Sequence, residues 1–239
     1  RLAMKVNPDF EKQPELIGIG IDGSENLENE DRTVLQTALQ KHFNCPVICD
    51  DGLTGARLLI SRSINKQEEP VALLSFDEPI TLVTSNQTAG NNLAGTSVGA
   101  YPVPDFLSEN TCSLRPLNEL LSLPALGSRF AALRNRSDLG FTDFCEALDQ
   151  KKKKGSRLLE AAAEELALTA IGIACLSGLS NVAVSGELFE SVPALFKQAK
   201  ARIAASQEDF GITVRLERQP FGRDLRAAGM AALVLAREL

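Results

Sequence analysis

The sequence predicts an α/β fold of two lobes, and three observations support this prediction. Short apolar runs alternate with segments whose apolar residues recur at helical spacing, as in parallel strands joined by helices. Near residue 116 the pattern changes from mixed strands and helices to mainly helices. The chain has 239 residues, of which 44% are hydrophobic, and this is enough for a sizeable core. We therefore expect an N-terminal α/β lobe over residues 1–115 and a helix-rich C-terminal α/β lobe over residues 116–239.

The first lobe begins with two strand–helix units. Its first apolar run is interrupted only by glycines and ends at the turn Asp22-Gly23, as expected of a buried strand. The second run ends at Asp50-Asp51-Gly52. Because a helical segment separates these two strands, we expect them to pair in parallel. The predicted elements are strand 16–21, helix 33–43, strand 45–49 and helix 53–63.

A hairpin is predicted next along the chain. Residues 70–76 and 79–84 are apolar runs of strand length, and Asp77-Glu78 lies between them as the turn. Neither run contains a glycine, and the turn between them is acidic. This hairpin bears on phosphate binding, as described below.

The second lobe is predicted to surround one long, buried helix. Ser156 is a good N-cap for that helix, which is apolar on almost every side in its middle. Pro124 and Gly140 are expected to separate three short helices that precede it. The predicted elements are helices 117–123, 127–134, 142–150 and 157–179, strand 181–187 with a glycine turn, helix 191–206, strand 212–216 and helix 223–239.

Charge and cysteine content exclude several functional classes. The formal net charge is -6 and the isoelectric point is near 5.0, which argues against this segment holding a DNA duplex by itself. Five scattered cysteines favour reduced thiols in a cytoplasmic protein. With His42 as the single histidine, a metal site is not expected. No apolar run reaches membrane-spanning length without interruption.

Six motifs, in order, resemble the ROK family (repressor, open reading frame, kinase), which has an actin-like, hexokinase-like (ribonuclease H-like) fold. The apolar strand with its Gly23 turn is similar to the family's first motif, with Asp22 where proline is usual. Asp50-Asp51 matches the family's Asn-Asp pair. The resemblance implies a two-lobe fold whose first lobe is truncated. The six motifs are residues 17–23, 39–51, 94–100, 117–122, 181–186 and 226–232.

The resemblance also implies which residues would bind a ligand. Asp51 falls on the family's catalytic aspartate, and Glu119 falls on a glutamate of its sugar site. Ser97 and Ala100 stand where the family has the glutamate and histidine of its Glu-Ile-Gly-His motif. The expected ligand-binding residues are therefore Gly23, Asp50, Asp51, Ser97 and Glu119.

Departures from the family argue against catalysis. Kinases of this fold hold ATP phosphates on glycine-rich hairpins, because glycine lets the backbone approach the phosphate closely. The hairpin expected to do so here has no glycine and carries Asp77 and Glu78, which would repel a triphosphate. The family's second phosphate loop has no match, and only Cys112 remains of its zinc cluster. No catalytic residue is therefore expected, and Asp51 would be the base if the chain were active.

These points lead to one preferred function and two alternatives. We expect a non-catalytic sugar-sensing or assembly domain, similar to the C-terminal effector domain of NagC/Mlc-type sugar-responsive transcriptional regulators. The resemblance implies a sugar or sugar phosphate effector, a homodimer, and DNA contact only through a segment outside this chain, with no cofactor, metal or membrane. One alternative is a degenerate, glucokinase-like sugar kinase with weak or no activity. The other is a scaffold without a small ligand.

Three motifs keep a second interpretation. Asp50-Asp51-Gly52 also suits a helix N-cap that follows a strand. The glycines at 18, 20 and 23 match a dinucleotide fingerprint, but the acidic stretch after them would repel a pyrophosphate, so that interpretation is rejected. The basic run at residues 151–154 suits a solvated loop between helices, or a patch that binds nucleic acid or a partner.

Overall fold

The computed structural model shows a mixed α/β fold. It describes residues 18–22, 28–50, 52, 55–56, 71–76, 79–84, 96–108, 113–211, 213–219 and 225–238. The strands are β1 (Ile19–Ile21), β2 (Val47–Cys49), β3 (Val71–Ser75), β4 (Thr81–Thr84), β5 (Thr96–Ser97), β6 (Pro102–Pro104), β7 (Leu114–Pro116), β8 (Asn181–Ser185) and β9 (Arg215–Arg218). The helices are α1 (Asn29–Phe43), α2 (Leu117–Leu121), α3 (Leu123–Arg134), α4 (Phe141–Asp149), α5 (Lys153–Ser177), α6 (Glu187–Ser191), α7 (Pro193–Phe210) and α8 (Leu225–Glu238).

The main sheet has five strands in the order β5-β4-β3-β8-β9. β3 and β4 pair antiparallel, which confirms the predicted hairpin, and β8 pairs in parallel with both β3 and β9. Every residue of β3 and β4 is buried, as expected for apolar runs without polar alternation. The sheet joins strands from both sides of residue 115, so a division there would leave one sheet shared between the lobes. That boundary stays a prediction.

Helix α5 lies at the centre of the hydrophobic core. Its side chains are buried along almost the whole length, including Leu158, Leu166 and Ile173, as its apolar middle predicted. It packs against α7 on one side, against α3 and α4 on another, and against the sheet. The expectation of a helix buried between layers is therefore confirmed.

Several predicted boundaries are wrong by three or four residues. Helix α5 begins at Lys153 rather than at residue 157, and Lys152, not Ser156, is its N-cap. Pro124 does not separate two helices but sits in the first turn of α3, where the missing N–H costs nothing. Helix α1 starts at Asn29 and strand β9 at Arg215, four residues earlier and three residues later than predicted.

The C-terminal helix returns to the first two strands of the chain. β1 and β2 pair in parallel as predicted, with Ile19 opposite Val47. Helix α8 packs on both strands, with Met230 and Val234 in a small buried cluster. Helix α8 also passes so close to Gly52, Gly55 and Ala56 that Gly55 and Gly229 meet backbone to backbone. Among the described residues, no helix has both the length and the apolar character needed to span a bilayer.

Candidate ligand site

The first group of candidate residues lies where β1 and β2 end. Asp50 is half-buried directly after β2, and its N–H donates to the carbonyl oxygen of Ile21 at 3.2 Å. This bond holds the ends of the two parallel strands together, at the edge where ligands commonly bind in such sheets. Gly23 and Asp51 lie outside the described residues, so their predicted roles stay predictions.

An ion pair that the sequence did not predict lies beside the ends of β1 and β2. The Asp22 Oδ1 atom accepts a hydrogen bond from the Gly52 N–H at 2.7 Å and another from Arg226 Nη1 at 2.9 Å. One carboxylate oxygen therefore joins the end of β1, the turn after Asp50 and the first turn of α8. Nothing local in the sequence indicates this pairing, because Asp22 and Arg226 are 204 residues apart.

The second group of candidate residues lies on two adjoining segments. Asn118 N–H donates to the Gly99 carbonyl, and Leu117 N–H donates to the Tyr101 carbonyl, each at 2.9 Å. These bonds bring the segment after Ser97 next to the one that carries Glu119. A Cβ at Gly99 would lie 2.0 Å from Asn118 Nδ2, so the Asn118 side chain would have to move.

The side chains of Ser97 and Glu119 are both exposed. Ser97 is in β5, opposite Thr81. The Glu119 carboxylate accepts hydrogen bonds from Arg115 Nε at 3.2 Å and from Arg115 Nη2 at 3.1 Å. A sugar hydroxyl that binds Glu119 would therefore meet a carboxylate already held by an arginine, and both roles stay predictions.

A buried ionic network lies behind these segments. The Arg129 guanidinium forms two hydrogen bonds with the Glu165 carboxylate, of 2.7 and 2.5 Å, and one with Asp105 Oδ1 of 3.0 Å. Both Arg129 and Glu165 are almost fully buried, with side-chain exposures of 5% and 0%. Arg115 joins the network at 3.4 Å from Asp105, so Glu119 is connected to it through one arginine.

The two carboxylates of this network have shifted pKa values in opposite directions. Burial raises the pKa of Glu165, even though Arg129 and the Phe106 N–H favour its ionised form. Burial alone would also raise the pKa of Asp105, but the Leu107 N–H, Arg129 and Arg115 together hold it below its usual range. The network therefore anchors the β6–β7 hairpin to α3 and α5 through charges that depend on one another.

The described candidate residues offer hydrogen-bond acceptors. Asp50 and Glu119 are acceptors suited to sugar hydroxyls. Among the described residues, no three histidine, cysteine or acidic side chains come close enough to hold a metal ion. The described cysteines, Cys45, Cys49, Cys145 and Cys175, are free thiols.

Comparison with solved structures shows the fold. The chain is similar to a ROK hexokinase from Thermus thermophilus, with a TM-score of 0.64 and 15% identity over 91% of this chain and 78% of that one. A ROK family protein from Streptococcus pneumoniae in complex with sucrose has a TM-score of 0.64 and 14% identity, over 85% of this chain and 70% of that one. A ROK family transcriptional regulator, a homologue of the E. coli Mlc protein, has a TM-score of 0.58 and 12% identity, over 85% of this chain and 57% of that one.

The chain therefore has the actin-like, hexokinase-like (ribonuclease H-like) fold, as predicted. No protein-family model matches the sequence, and no curated protein matches it. At 10–15% identity these neighbours do not distinguish a regulator from a kinase.

Proposed function

We propose that this chain is a ROK-like domain that senses a sugar or a sugar phosphate, or mediates assembly, without catalysing phosphoryl transfer. It would belong to a cytoplasmic transcriptional regulator whose DNA-binding segment lies outside this chain, and it would act as a homodimer. Support comes from a fold shared with both ROK kinases and a ROK transcriptional regulator.

The β3–β4 hairpin is the observation that carries the proposal. The hairpin is present in the sheet, so its sequence can be judged as a candidate phosphate-binding element. From residue 71 to residue 84 the sequence contains no glycine, and Asp77 and Glu78 come between the two strands in the sequence. Phosphoryl transfer relies on positioning and on positive charge around the phosphates, and this hairpin provides neither.

The sugar-facing groups proposed for the effector are Gly23, Asp50, Asp51, Ser97 and Glu119. Carboxylates after β2 and on α2 can accept several hydroxyl hydrogen bonds, as polyol recognition requires. Asp50 directly follows β2, and Glu119 lies on α2, which adjoins the segment after Ser97. Neither group needs a metal or a cofactor to bind a hydroxyl.

Titration calorimetry with variants tests the sensing role. For a sugar that binds the wild type, Asp51→Ala and Glu119→Ala are each expected to weaken binding about 10-fold to 100-fold, because each removes a charge-assisted hydrogen bond. Glu160→Ala, which removes an exposed carboxylate on α5, is the matched control and should leave the affinity unchanged. If both site variants bind that sugar like the wild type, Asp51 and Glu119 do not form its site. If no sugar binds the wild type and the variants assemble like it, the scaffold alternative is favoured.

A degenerate sugar kinase is the second candidate, favoured by the fold it shares with the Thermus thermophilus hexokinase. This alternative predicts sugar-dependent ATP consumption that Asp51→Asn abolishes, because Asp51 would act as the general base. A coupled ADP-release assay at saturating sugar and magnesium-ATP measures it. We expect no turnover above background, and turnover that is lost in Asp51→Asn would establish the kinase.

A further inference from the structure

A dense basic cluster occupies one end of α5. Between residues 150 and 159 the chain has five cations and no acidic residue, although its overall charge is -6. All five side chains are exposed, as is Arg134 on α3. Lys154 Nζ donates to the carbonyl of Leu133, which ties this end of α5 to the last turn of α3 beside Arg134. We define the basic cluster as Arg134, Lys151, Lys152, Lys153, Lys154 and Arg157.

The cluster is unfavourable for the stability of α5 itself. A helix N-terminus carries partial positive charge, and lysines in its first turn repel that charge. Helix α5 has no acidic residue in its first turn and no side-chain cap at Lys152. Lys151, Lys152 and Lys153 form no ion pair with any residue in the described part of the chain. The negative charge that this surface lacks must therefore come from solvent ions or from a partner.

The side chains around the basic cluster favour a nucleic-acid partner over a protein partner. Protein interfaces are centred on buried apolar or aromatic side chains, whereas nucleic-acid backbones need only cations and N–H donors. The large apolar side chains that are exposed in the described residues lie at positions 34, 43, 106, 114, 168, 176 and 235, and none is within the cluster. In the sequence the lysines are flanked by Gln150, Gly155 and Ser156, which are small or polar, and the exposed carboxylates of Asp149 and Glu160 lie at the two ends of the run.

We propose that the basic cluster at the start of α5 binds the phosphodiester backbone of double-stranded nucleic acid without sequence preference. The contact is auxiliary to the DNA-binding segment proposed outside this chain, and it replaces the expectation that DNA is contacted only through that segment. The acidic remainder of the chain opposes strong binding by this domain alone. The exposed lysines supply the charge, and the uncapped N–H groups of α5 add donors suited to phosphate oxygens. This inference does not rest on the sugar site.

Fluorescence anisotropy with a labelled 20-base-pair duplex of arbitrary sequence tests the proposal. At about 50 mM salt the chain is expected to bind with a dissociation constant on the order of 10⁻⁵ M, typical of non-specific binding. The triple variant Lys151→Gln/Lys152→Gln/Lys153→Gln should bind at least about 10-fold more weakly, with the log–log salt slope reduced by about 2–3. Because the substitutions remove repulsion at a helix N-terminus, the variant should be at least as stable as the wild type.

A control of equal charge is available. Lys41→Gln/Lys197→Gln/Lys200→Gln also removes three exposed lysines, on α1 and α7, and it should keep the wild-type salt slope. Equal losses in both triple variants would overturn the proposal, because binding would then follow net charge alone. No duplex binding at 50 mM salt would also overturn it, as would binding to phosphatidylserine vesicles or a polyglutamate peptide in place of DNA.

Discussion

Replacing Arg129 with methionine is expected to lower the free energy of unfolding by about 3–5 kcal/mol. Arg129 is the direct cationic partner of Glu165, which is fully buried, so the substitution leaves an uncompensated carboxylate inside the protein. Asp105 would lose a partner as well, although it keeps Arg115 and the Leu107 N–H. Urea unfolding at pH 7 measures the change.

The loss of unfolding free energy in Arg129→Met should depend on pH. The folded-state pKa of Glu165 is already raised by burial, and losing Arg129 raises it further. A carboxyl group with a raised pKa favours folding fully below its unfolded pKa, and that contribution is lost as pH rises through the folded pKa. The difference between Arg129→Met and the wild type should therefore be smaller at pH 5 than at pH 7.

Two further variants test whether the loss of stability comes from the unpaired buried carboxylate or simply from the loss of one charge. Arg129→Met/Glu165→Leu removes both charges, and it should recover most of the stability that Arg129→Met loses. Arg202→Met breaks a partly exposed ion pair of 3.0 Å between Arg202 on α7 and Glu164 on α5, the helix that also carries Glu165. It should lower the free energy of unfolding by less than about 1 kcal/mol. A double variant no more stable than Arg129→Met would contradict the assignment of the buried pair.

Replacing Gly229 with alanine should destabilise the protein by about 2–3 kcal/mol. A Cβ at Gly229 would lie 2.1 Å from the Gly52 carbonyl oxygen and 2.4 Å from the Ala56 nitrogen. These are backbone atoms, which cannot rotate away as a side chain can. Helix α8 must therefore move off the turn that follows Asp50, and the effect is measurable by thermal or urea unfolding.

Gly140→Ala is the matched control for this substitution. A Cβ at Gly140 has one neighbour within 4 Å, the Asp143 Oδ2 atom at 4.0 Å, and its backbone φ of -133° is open to any residue. Its unfolding free energy should change by no more than about 0.5 kcal/mol. If Gly229→Ala is as stable as Gly140→Ala, the close approach of α8 to Gly52 and Ala56 is incorrect.

The strands β1–β4, β8 and β9 could be predicted because their apolar runs are local signals. β5, β6 and β7 are only two or three residues long, and they were not predicted. The hairpin of β3 and β4, the parallel pairing of β1 with β2 and the burial of α5 all follow from local sequence patterns. The start of α5 could not be predicted this way. Ser156 is a better N-cap residue than Lys152, yet the packing of the helix extends it by one turn.

The contacts around the candidate site residues could not be predicted because they are long-range. The resemblance pointed to Asp50 and Glu119, but the pairing of Asp22 with Arg226 joins opposite ends of the chain. Glu165 was hidden in a stretch dominated by apolar residues, and its partner Arg129 is 36 residues away. Local periodicity carries no information about such pairs, whereas burial of a charge makes a partner obligatory once the fold is known.

Thermal melting against a panel of sugars and sugar phosphates, with and without magnesium-ATP, tests the central claim most directly. A ligand at one hundred times its dissociation constant should add about 2.7 kcal/mol, which corresponds to a rise of about 5–10 °C for a domain of this size. We predict such a rise with one sugar or sugar phosphate and none with magnesium-ATP. A rise with magnesium-ATP alone, or no rise with any compound in the panel, would contradict a sugar-sensing domain whose β3–β4 hairpin is unsuited to phosphate binding.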